Sequence, residues 1–229
     1  MRTAPRLLSG QKPQSSSMGH PATFMVLKNR VLEDLDAQVA RTYERTLNLL
    51  SNSGFKLIER HSSAVAHLSE IMQDGGIVAA EAFEWHEKLL ERRGAAYDPR
   101  GRSRIKRGAQ HRAADYIRRL QLRTRLISEW ERELTGFDAV LAPTVPTIAP
   151  RIRELETSDE AYSRANLLML RNTTIVNALD GCAISLPCQE PTTGPVGLML
   201  IGGSRGDWPL LSLAVGVETR INAVRFTGG

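Results

Sequence analysis

The sequence predicts an α/β fold, in which helices cover a mixed β-sheet. Three short apolar runs bounded by Pro and Gly, at residues 139–142, 182–186 and 196–201, are typical of strands buried on both faces. Patterns of helical periodicity lie between these runs. Near the start of the chain, a strand, a helix and a second strand follow one another within about 35 residues. That order indicates a right-handed βαβ unit with parallel strands.

The first ordered elements make up this βαβ unit. The first strand is predicted at residues 24–27 and the second at residues 55–58. Between them, apolar residues recur at helical spacing from Val39 onward. Asp36 is the predicted N-cap of this helix, and Gly54 is predicted to end it.

Five further helices are predicted, at residues 62–72, 77–92, 109–134, 161–176 and 208–221. The segment Asp74-Gly75-Gly76 separates the first two of them. On the helix at 77–92, Trp85 is predicted to belong to a broad apolar face, with the Glu and Lys residues facing water. Asp207 is the predicted cap of the last helix.

Composition divides the chain into three segments and indicates an ordinary globular protein. Residues 1–23 are rich in Ser, Pro, Gly and Gln, which predicts a disordered lead-in. Residues 24–221 are predicted to form one partial α/β domain, followed by a tail at 222–229.

The content of 41% hydrophobic and 24% charged residues is typical of globular proteins. The net charge of +5 would permit contact with nucleic acid, but a basic soluble protein is the commoner case.

The two cysteines and the hydropathy pattern predict a cytoplasmic protein. Cys182 and Cys188 lie six residues apart along a predicted strand, too far to form a disulfide without a bend. We therefore predict two reduced thiols that act as small core residues. No run approaches the roughly 18 apolar residues of a membrane helix, and the first residues lack the apolar core of a secretion signal.

A series of short motifs runs in a fixed order from the middle of the chain to the last predicted strand. They are Tyr97-Asp98-Pro99, Arg104-Ile105-x-x-Gly108, Asp115-Tyr116, Phe137-Asp138, Pro143-Thr144-x-Pro146, Ala149-Pro150, Asn177, Ala183-Ile184-Ser185-x-Pro187 and Pro195-x-Gly197-Leu198. Together they resemble the second half of the amidase signature family, serine hydrolases that cut carbon–nitrogen bonds in amides. The resemblance implies an amidase-like mixed sheet of which this chain contains the second half.

The resemblance implies no catalytic residue in this chain. The family uses a Ser nucleophile and a second Ser from a Gly-Gly-Ser-Ser-Gly-Gly-Ser type loop, with an upstream Lys as base, and neither motif occurs here. The cluster Ser15-Ser16-Ser17 lacks the glycines that let backbone N–H groups converge on an oxyanion. The chain is therefore predicted to be a carboxy-terminal fragment, inactive alone, of a hydrolase for a small carboxylic amide.

Three substrate-binding residues follow from the resemblance. Thr144 and Asn177 are expected near the pocket, because loops at strand ends carry function on a rigid scaffold. Arg104 matches an Arg that in some relatives holds a carboxylate-bearing substrate, although a structural ion pair or a solvated charge is an equal alternative. Leu170 occupies a position where relatives that amidate glutamyl-tRNA place an acidic residue, which favours an amide less polar than glutamine.

The expected partners also follow from the resemblance. A sheet cut in the middle exposes an unpaired edge, so a complementary amino-terminal half or self-association is expected. No cofactor, metal or membrane contact is predicted. His86-Glu87 begins like a zinc motif, but Leu90 stands where the second ligand would be.

Two other classes of function are compatible with the sequence. One is a non-catalytic binding or regulatory module. The other is a tRNA-associated amidotransferase-like subunit that uses residues 100–125, where ten basic residues face the single acidic residue Asp115. Nucleic-acid binding is the less favoured interpretation, because adjacent pairs such as Arg118 and Arg119 point in different directions on a helix. A solvated helix face explains these charges better.

Overall fold

The computed structural model describes residues 21–156, 158–190 and 192–226, so the predicted lead-in lies outside these residues up to position 20. Residues 227–229 of the predicted tail also lie outside them. The chain divides into two compact units. The sheet unit comprises the described residues up to Ser62 and those from Glu131 onward, and the helical unit comprises Ser63–Trp130.

The sheet unit contains all five strands together with helices, whereas the helical unit contains helices and turns. In chain order they are β1 (Thr23–Leu27), α1 (Ala37–Asn52), β2 (Lys56–Arg60), α2 (Ser63–Ala66), α3 (Leu68–Met72), α4 (Gly76–Arg93), α5 (Pro99–Lys106), α6 (Ala113–Glu133), β3 (Ala139–Pro143), α7 (Ile152–Glu156), α8 (Asp159–Ala178), β4 (Cys182–Pro187), β5 (Gly197–Gly202) and α9 (Asp207–Phe226). Short 3₁₀ turns precede α4, α5 and α6.

The five strands form one mixed sheet in the order β2-β1-β3-β5-β4. β1 pairs in parallel with both β2 and β3, whereas β5 is antiparallel to its neighbours β3 and β4. The predicted βαβ unit with parallel strands is therefore confirmed. The predicted α/β class, with helices covering a mixed sheet, is confirmed as well.

Helix α1 begins and ends where the sequence predicts. The Asp36 side chain accepts hydrogen bonds from the backbone N–H groups of Gln38 and Val39, which would otherwise lack partners at the helix start. After the helix, Gly54 adopts a φ of +91°, a conformation that favours glycine. These two signals are local, so the sequence alone is sufficient to place them.

The main core lies between one face of the sheet and helices α1 and α9. Its strand residues include Phe24, Leu141, Leu198 and Leu200, each fully or almost fully buried. The helix residue Tyr43 is also buried, and its hydroxyl donates to the Leu141 carbonyl over 3.0 Å. Burial raises the pKa of Tyr43 far above its ordinary value, because a phenolate there would lack water.

Not every predicted strand is buried on both faces. β3 is buried at all five positions, and β5 at every position except Gly197. On β4, however, Ala183, Ser185 and Pro187 are exposed, so the prediction for this strand is wrong. β4 lies at the edge of the sheet, and only its alternate residues face the core.

The helical unit differs from the sequence prediction in three places. The predicted helix at 62–72 is broken at His67 into α2 and α3. Helix α5 was not predicted, because its basic composition lacks apolar periodicity, although Asp98 caps it by accepting from the Gly101 N–H. The long helix begins at Ala113 rather than at residue 109, since residues 107–110 form a 3₁₀ turn.

The predicted apolar face of α4 is also incorrect at Trp85, which is 73% exposed. The residues that α4 buries are Gly76 and Ala79. Gly108 packs so closely against this helix that an added Cβ would lie 2.0 Å from the Ala79 carbonyl oxygen. The glycine of the Arg104-Ile105-x-x-Gly108 motif is thus required for packing.

Among the helices that the structure describes, none combines the length and the hydropathy required to cross a bilayer.

Candidate functional site

The carboxyl ends of four strands lie along one border of the sheet, the carboxyl edge, which is distinct from the edge strands β2 and β4. Because β1, β2, β3 and β4 run in the same direction, their carboxyl ends meet at this edge, together with the amino end of β5. In open α/β sheets, ligands bind outside the carboxyl ends of the strands. This edge is therefore the candidate site in the sheet unit.

Two hydroxyl groups meet at the edge. Thr144 directly follows β3, and its Oγ1 lies 2.6 Å from Oγ of Ser185 on β4. The backbone N–H of Thr144 also donates to the Gly197 carbonyl oxygen over 2.9 Å, which continues the pairing of β3 with β5. Ser185 is exposed and Thr144 is half-buried, so the hydroxyl pair is accessible to solvent.

The hydroxyl pair depends on a glycine. A Cβ at Gly197 would lie 2.3 Å from the Ser185 hydroxyl oxygen and 2.6 Å from that of Thr144, closer than non-bonded atoms approach. Gly197 therefore allows both side chains to extend across β5 and meet. This is a physical reason for glycine at the position that the Pro195-x-Gly197-Leu198 motif marks.

Helix α8 is held against this edge by a buried amide. Asn172 is fully buried, and its Nδ2 donates to the Pro143 carbonyl over 2.8 Å and to the Val31 carbonyl over 3.2 Å. Its Oδ1 accepts from Nε of Arg171 over 3.2 Å. One side chain thus joins α8 to the end of β3 and to the loop after β1.

The loops at the edge also bind one another. The Asp36 N–H donates to the Pro146 carbonyl over 2.8 Å, and the Gln38 side chain donates to the Gly194 carbonyl over 2.8 Å. Because these bonds connect residues far apart in sequence, they hold the loop after β3 and the segment before β5 against the start of α1.

Charge at the edge is concentrated around Arg171. Its guanidinium donates to the Val31 and Glu33 carbonyl oxygens and lies 4.0 Å from the Asp34 carboxylate. Burial lowers the pKa of Arg171 from its ordinary value, and the charges of Glu33 and Asp34 partly offset this effect. Arginine remains protonated under such conditions, so the edge retains a partly buried positive charge.

The predicted site residues are divided between the two units. Thr144 lies at the sheet edge, as described above. Asn177 is exposed on the last turn of α8, and the residue of this helix that bonds to β3 is Asn172. Arg104 is exposed on α5 in the helical unit, and no hydrogen bond or ion pair of its side chain is found among the described residues. Leu170 is 49% exposed on α8.

Sequence reasoning overlooked two residues of this site. Ser185 belongs to one of the family motifs but was not predicted to bind substrate, and Asn172 was not assigned a role at the site. Alternation along β4 could have placed Ser185 on the exposed face of an edge strand. No sequence signal indicated that Asn172 is buried, because the carbonyls that satisfy it come from distant loops.

The edge can bind a polar ligand, but its contacts do not activate a nucleophile. The Ser185 hydroxyl bonds to another hydroxyl, and among the described contacts no Lys, His or carboxylate adjoins either oxygen. A serine hydroxyl needs a base within hydrogen-bond reach to attack a carbonyl. Two hydroxyls can instead donate to and accept from a ligand amide or carboxylate.

His86, which begins the sequence that resembles a zinc motif, contacts a tyrosine. His86 Nδ1 lies 2.7 Å from the Tyr97 hydroxyl oxygen in the helical unit. Within the part of the chain that the structure describes, no group of three or more His, Cys, Asp or Glu residues could hold a metal ion.

Comparison with known proteins identifies relatives for most of the chain. Residues 9–211 match the sequence profile of a family described as Amidase. The chain is similar to the 2-amino-5-chloromuconic acid deaminase of Comamonas testosteroni, with 28% identity over 194 residues, 84% of this chain and 42% of that protein. It is also similar to a glutamyl-tRNA(Gln) amidotransferase subunit of Symbiobacterium thermophilum, with 30% identity over 93% of this chain and 46% of that protein. The chain thus spans about half the length of these relatives.

A solved structure supports the fold. A crystal structure of an amidase superimposes with a TM-score of 0.76 and 23% sequence identity, covering 94% of this chain and 49% of that one. At this identity the likeness concerns the fold alone.

Proposed function

Because this chain belongs to the Amidase family, we propose that it forms part of the substrate pocket of a carbon–nitrogen hydrolase that acts on a small carboxylic amide. We infer the position of the pocket from the hydroxyl pair of Thr144 and Ser185, whose oxygens lie 2.6 Å apart at the carboxyl edge of the sheet. In this proposal the two hydroxyls orient the substrate amide and take no part in bond cleavage.

The proposed reaction needs groups that this sequence does not contain. Amide hydrolysis through an acyl-enzyme requires an activated nucleophile, a base and donors for the oxyanion. The Ser-Ser loop and the Lys that the family uses do not occur among the 229 residues. We propose that these groups lie outside them, in the same polypeptide or in a partner chain, and that the 229-residue chain is inactive alone.

The nature of the substrate is proposed from Leu170 and Arg104. Leu170 is half-exposed on α8. By the family resemblance, it stands at a position where some relatives have an acidic residue that binds an amino group. This favours an amide without a free amino group near that position. Arg104 is exposed and available to hold a carboxylate. Asn177 is proposed as a further contact to the substrate.

Calorimetric titration of the 229-residue chain tests this proposal. Benzamide and glutamine serve as an apolar and a polar amide. We expect benzamide to bind more tightly than glutamine, and the double variant Thr144→Val with Ser185→Ala to weaken benzamide binding about tenfold, because two hydrogen bonds are lost. Ser212→Ala, which removes an exposed hydroxyl from α9, is the matched control.

Two results would contradict the proposal. The first is a folded chain that binds neither amide at millimolar concentration. The second is equal weakening of benzamide binding by the control variant. Either result would show that the hydroxyl pair does not belong to the pocket. Release of ammonia from benzamide by the purified chain would contradict its proposed inactivity. The intact mass of the natural product, compared with 25.3 kDa, then tests whether the missing groups belong to the same polypeptide.

A second candidate function is that of one component of an amidotransferase. The similarity to the Symbiobacterium thermophilum protein over 93% of this chain supports it. In this case glutamine would be the preferred amide, although Leu170 argues against that preference. Tighter binding of glutamine than of benzamide by the unmodified chain would favour this candidate. The variant Leu170→Asp is expected to shift the preference toward glutamine.

A partner that pairs with the edge strand β4 is also proposed. β4 is an edge strand, and its outward residues Ala183, Ser185 and Pro187 are exposed. Such an edge can pair with a complementary amino-terminal half or with a second copy of the chain. Light scattering is expected to show association that increases with concentration, and Ala183→Lys is expected to reduce it. A monomer at all concentrations would exclude self-association.

We propose a cytoplasmic location on the basis of the two free thiols, Cys182 and Cys188. Fractionation of source cells with an antibody against the chain tests this location.

A further inference from the structure

An open groove of about 860 Å³ crosses the surface of the helical unit. Residues of α6 form most of its wall, and Glu70 of α3 and Gln73 of the following turn complete it. Its volume lies within the range of small-molecule sites. The residues that line the groove belong to the helical unit.

The wall of the groove contains three arginines, Arg118, Arg119 and Arg125. Arg118 forms an ion pair with Asp115 one turn earlier, which offsets its charge. For Arg125, by contrast, the described part of the chain supplies no hydrogen bond or ion pair, and its side chain is exposed. Arg125 is therefore available to a ligand.

Arg119 is held in position by a histidine. The His111 Nε2 lies 3.1 Å from the Asp74 carbonyl oxygen, which can only accept, so this nitrogen carries the proton. The other ring nitrogen, Nδ1, then accepts from Arg119 Nη1 over 3.1 Å. These two hydrogen bonds of His111 restrain one end of the Arg119 guanidinium and leave its remaining N–H groups to bind a ligand. A pre-positioned guanidinium loses less entropy when it binds a planar anion.

We propose that this groove binds a small molecule with two anionic groups, phosphates or carboxylates. Arg119 and Arg125 lie six residues apart on α6, which separates their Cα atoms by about 9 Å along the helix axis. Each guanidinium can form two parallel hydrogen bonds with a phosphate or a carboxylate. Gln73, Gln121 and Thr124 also line the groove and supply neutral polar groups.

The composition of the groove argues against nucleic acid. Single-stranded RNA is held by aromatic stacking along a continuous basic surface, and the groove wall contains no aromatic residue. Glu70 and Asp115 place carboxylates in the same wall, where they would repel a continuous chain of phosphates. Two discrete anionic groups can avoid these carboxylates, whereas a polyanion cannot.

Calorimetric titration of the full chain with pyrophosphate and, separately, with adipate tests this proposal. We expect binding of one molecule per chain, and the probe that binds more tightly indicates which combination of anionic group and charge spacing the groove prefers. Arg119→Gln and Arg125→Gln are each expected to weaken binding about tenfold. Arg112→Gln, an exposed arginine outside the groove, is the matched control and should bind as the unmodified chain does.

The positioning role of His111 has its own test. His111→Ala is expected to weaken binding several-fold, and His111→Gln to restore part of it, because a glutamine carbonyl can accept from Arg119. Circular dichroism confirms that each variant is folded. Arg125→Gln alters an exposed side chain for which the described residues supply no partner, so it remains informative if a variant at Arg119 or His111 fails to fold.

Three results would overturn the proposal. The first is a folded chain that binds neither probe at millimolar concentration. The second is an equal loss of binding in Arg112→Gln, which would indicate a diffuse basic surface. The third is tight, salt-dependent binding of a 20-nucleotide RNA that excludes both small anions from the groove.

Discussion

The sheet unit and the helical unit bury their residues to very different extents. All five positions of β3 and four of the five positions of β1 are buried. Helix α4, by contrast, has 18 residues and buries only Gly76 and Ala79. The same chain thus contains a strongly apolar sheet and a set of helices that are largely in contact with water.

The two units therefore obtain their stability from different sources. In the sheet unit, strands distant in sequence pair with one another, and burial of their side chains supplies most of the favourable free energy. In the helical unit, the buried side chains include Val65, Leu68 and Trp130, and Gly108 closely approaches α4. Charged residues occupy the remaining surface, so most substitutions there should alter binding more than stability.

The largest expected effect comes from the core of the sheet unit. Leu200→Ala removes a fully buried side chain from β5 and is expected to lower the free energy of unfolding by about 3 kcal/mol. Leu90→Ala, at a half-buried position of α4, should cost about 1 kcal/mol. Urea unfolding followed by circular dichroism measures both changes. Equal losses would show that the helical unit has a comparable core.

Two glycines, Gly108 in the helical unit and Gly197 in the sheet unit, test the comparison further. Gly108→Ala places a methyl group against the Ala79 backbone, which cannot rotate away, so we expect a loss of about 3 kcal/mol. Gly197→Ala meets the hydroxyls of Ser185 and Thr144, which can turn aside, and should cost about 1 kcal/mol. The same urea titrations measure these changes. A larger loss at Gly197 would mean that the hydroxyl pair is rigidly held.

The buried amide of the sheet edge is expected to have an intermediate effect. Asn172→Ala leaves the Val31 and Pro143 carbonyls without this donor, and a loss of about 2 kcal/mol is expected. Gln121→Ala removes an exposed amide from α6 and should change stability by less than about 0.5 kcal/mol. Thermal unfolding of both variants checks the difference. If the two losses were the same, Asn172 would not anchor α8.

The smallest expected effect concerns two tyrosines at high pH. Burial raises the pKa of Tyr43, whereas a hydrogen bond to Glu81 raises the pKa of Tyr116 at the surface. Above about pH 10 an unfolded tyrosine ionises while the folded one keeps its proton, so stability falls as pH rises.

Replacement of each tyrosine by Phe distinguishes the two causes. Tyr43→Phe is expected to remove about 1 kcal/mol of the loss in stability between about pH 9.5 and 11. Tyr116→Phe should remove less, because water screens its interaction with Glu81. Urea unfolding at several pH values gives the two slopes. An unchanged slope in Tyr43→Phe would contradict the role assigned to burial.

Predictions from sequence were accurate where the signal is local or repeats regularly. The positions of β3, β4 and β5 followed from short apolar runs, and the start of α1 followed from Asp36. Predictions failed where the neighbours of an element decide its environment. The exposure of β4 depends on its place at the sheet edge, and the exposure of Trp85 depends on what covers α4.

The candidate site was only partly predictable for the same reason. Thr144 could be placed at the end of a strand, which is where ligands bind in such sheets. Its contact with Ser185, 41 positions later in the chain, depends on the register of β4 against β5. The pairing of Arg119 with His111 likewise depends on a turn that the sequence pattern predicted as helix.

By itself, the sequence determined the fold class, the order of most elements and the family, because apolar periodicity, capping residues and ordered motifs are properties of the chain. The tertiary structure was needed to show that β2 and β4 are the edge strands, that Asn172 is buried, and that a basic groove lies on α6. Each of these features depends on contacts between residues distant in the chain. Such contacts are selected by the burial of the whole core, and no local pattern encodes them.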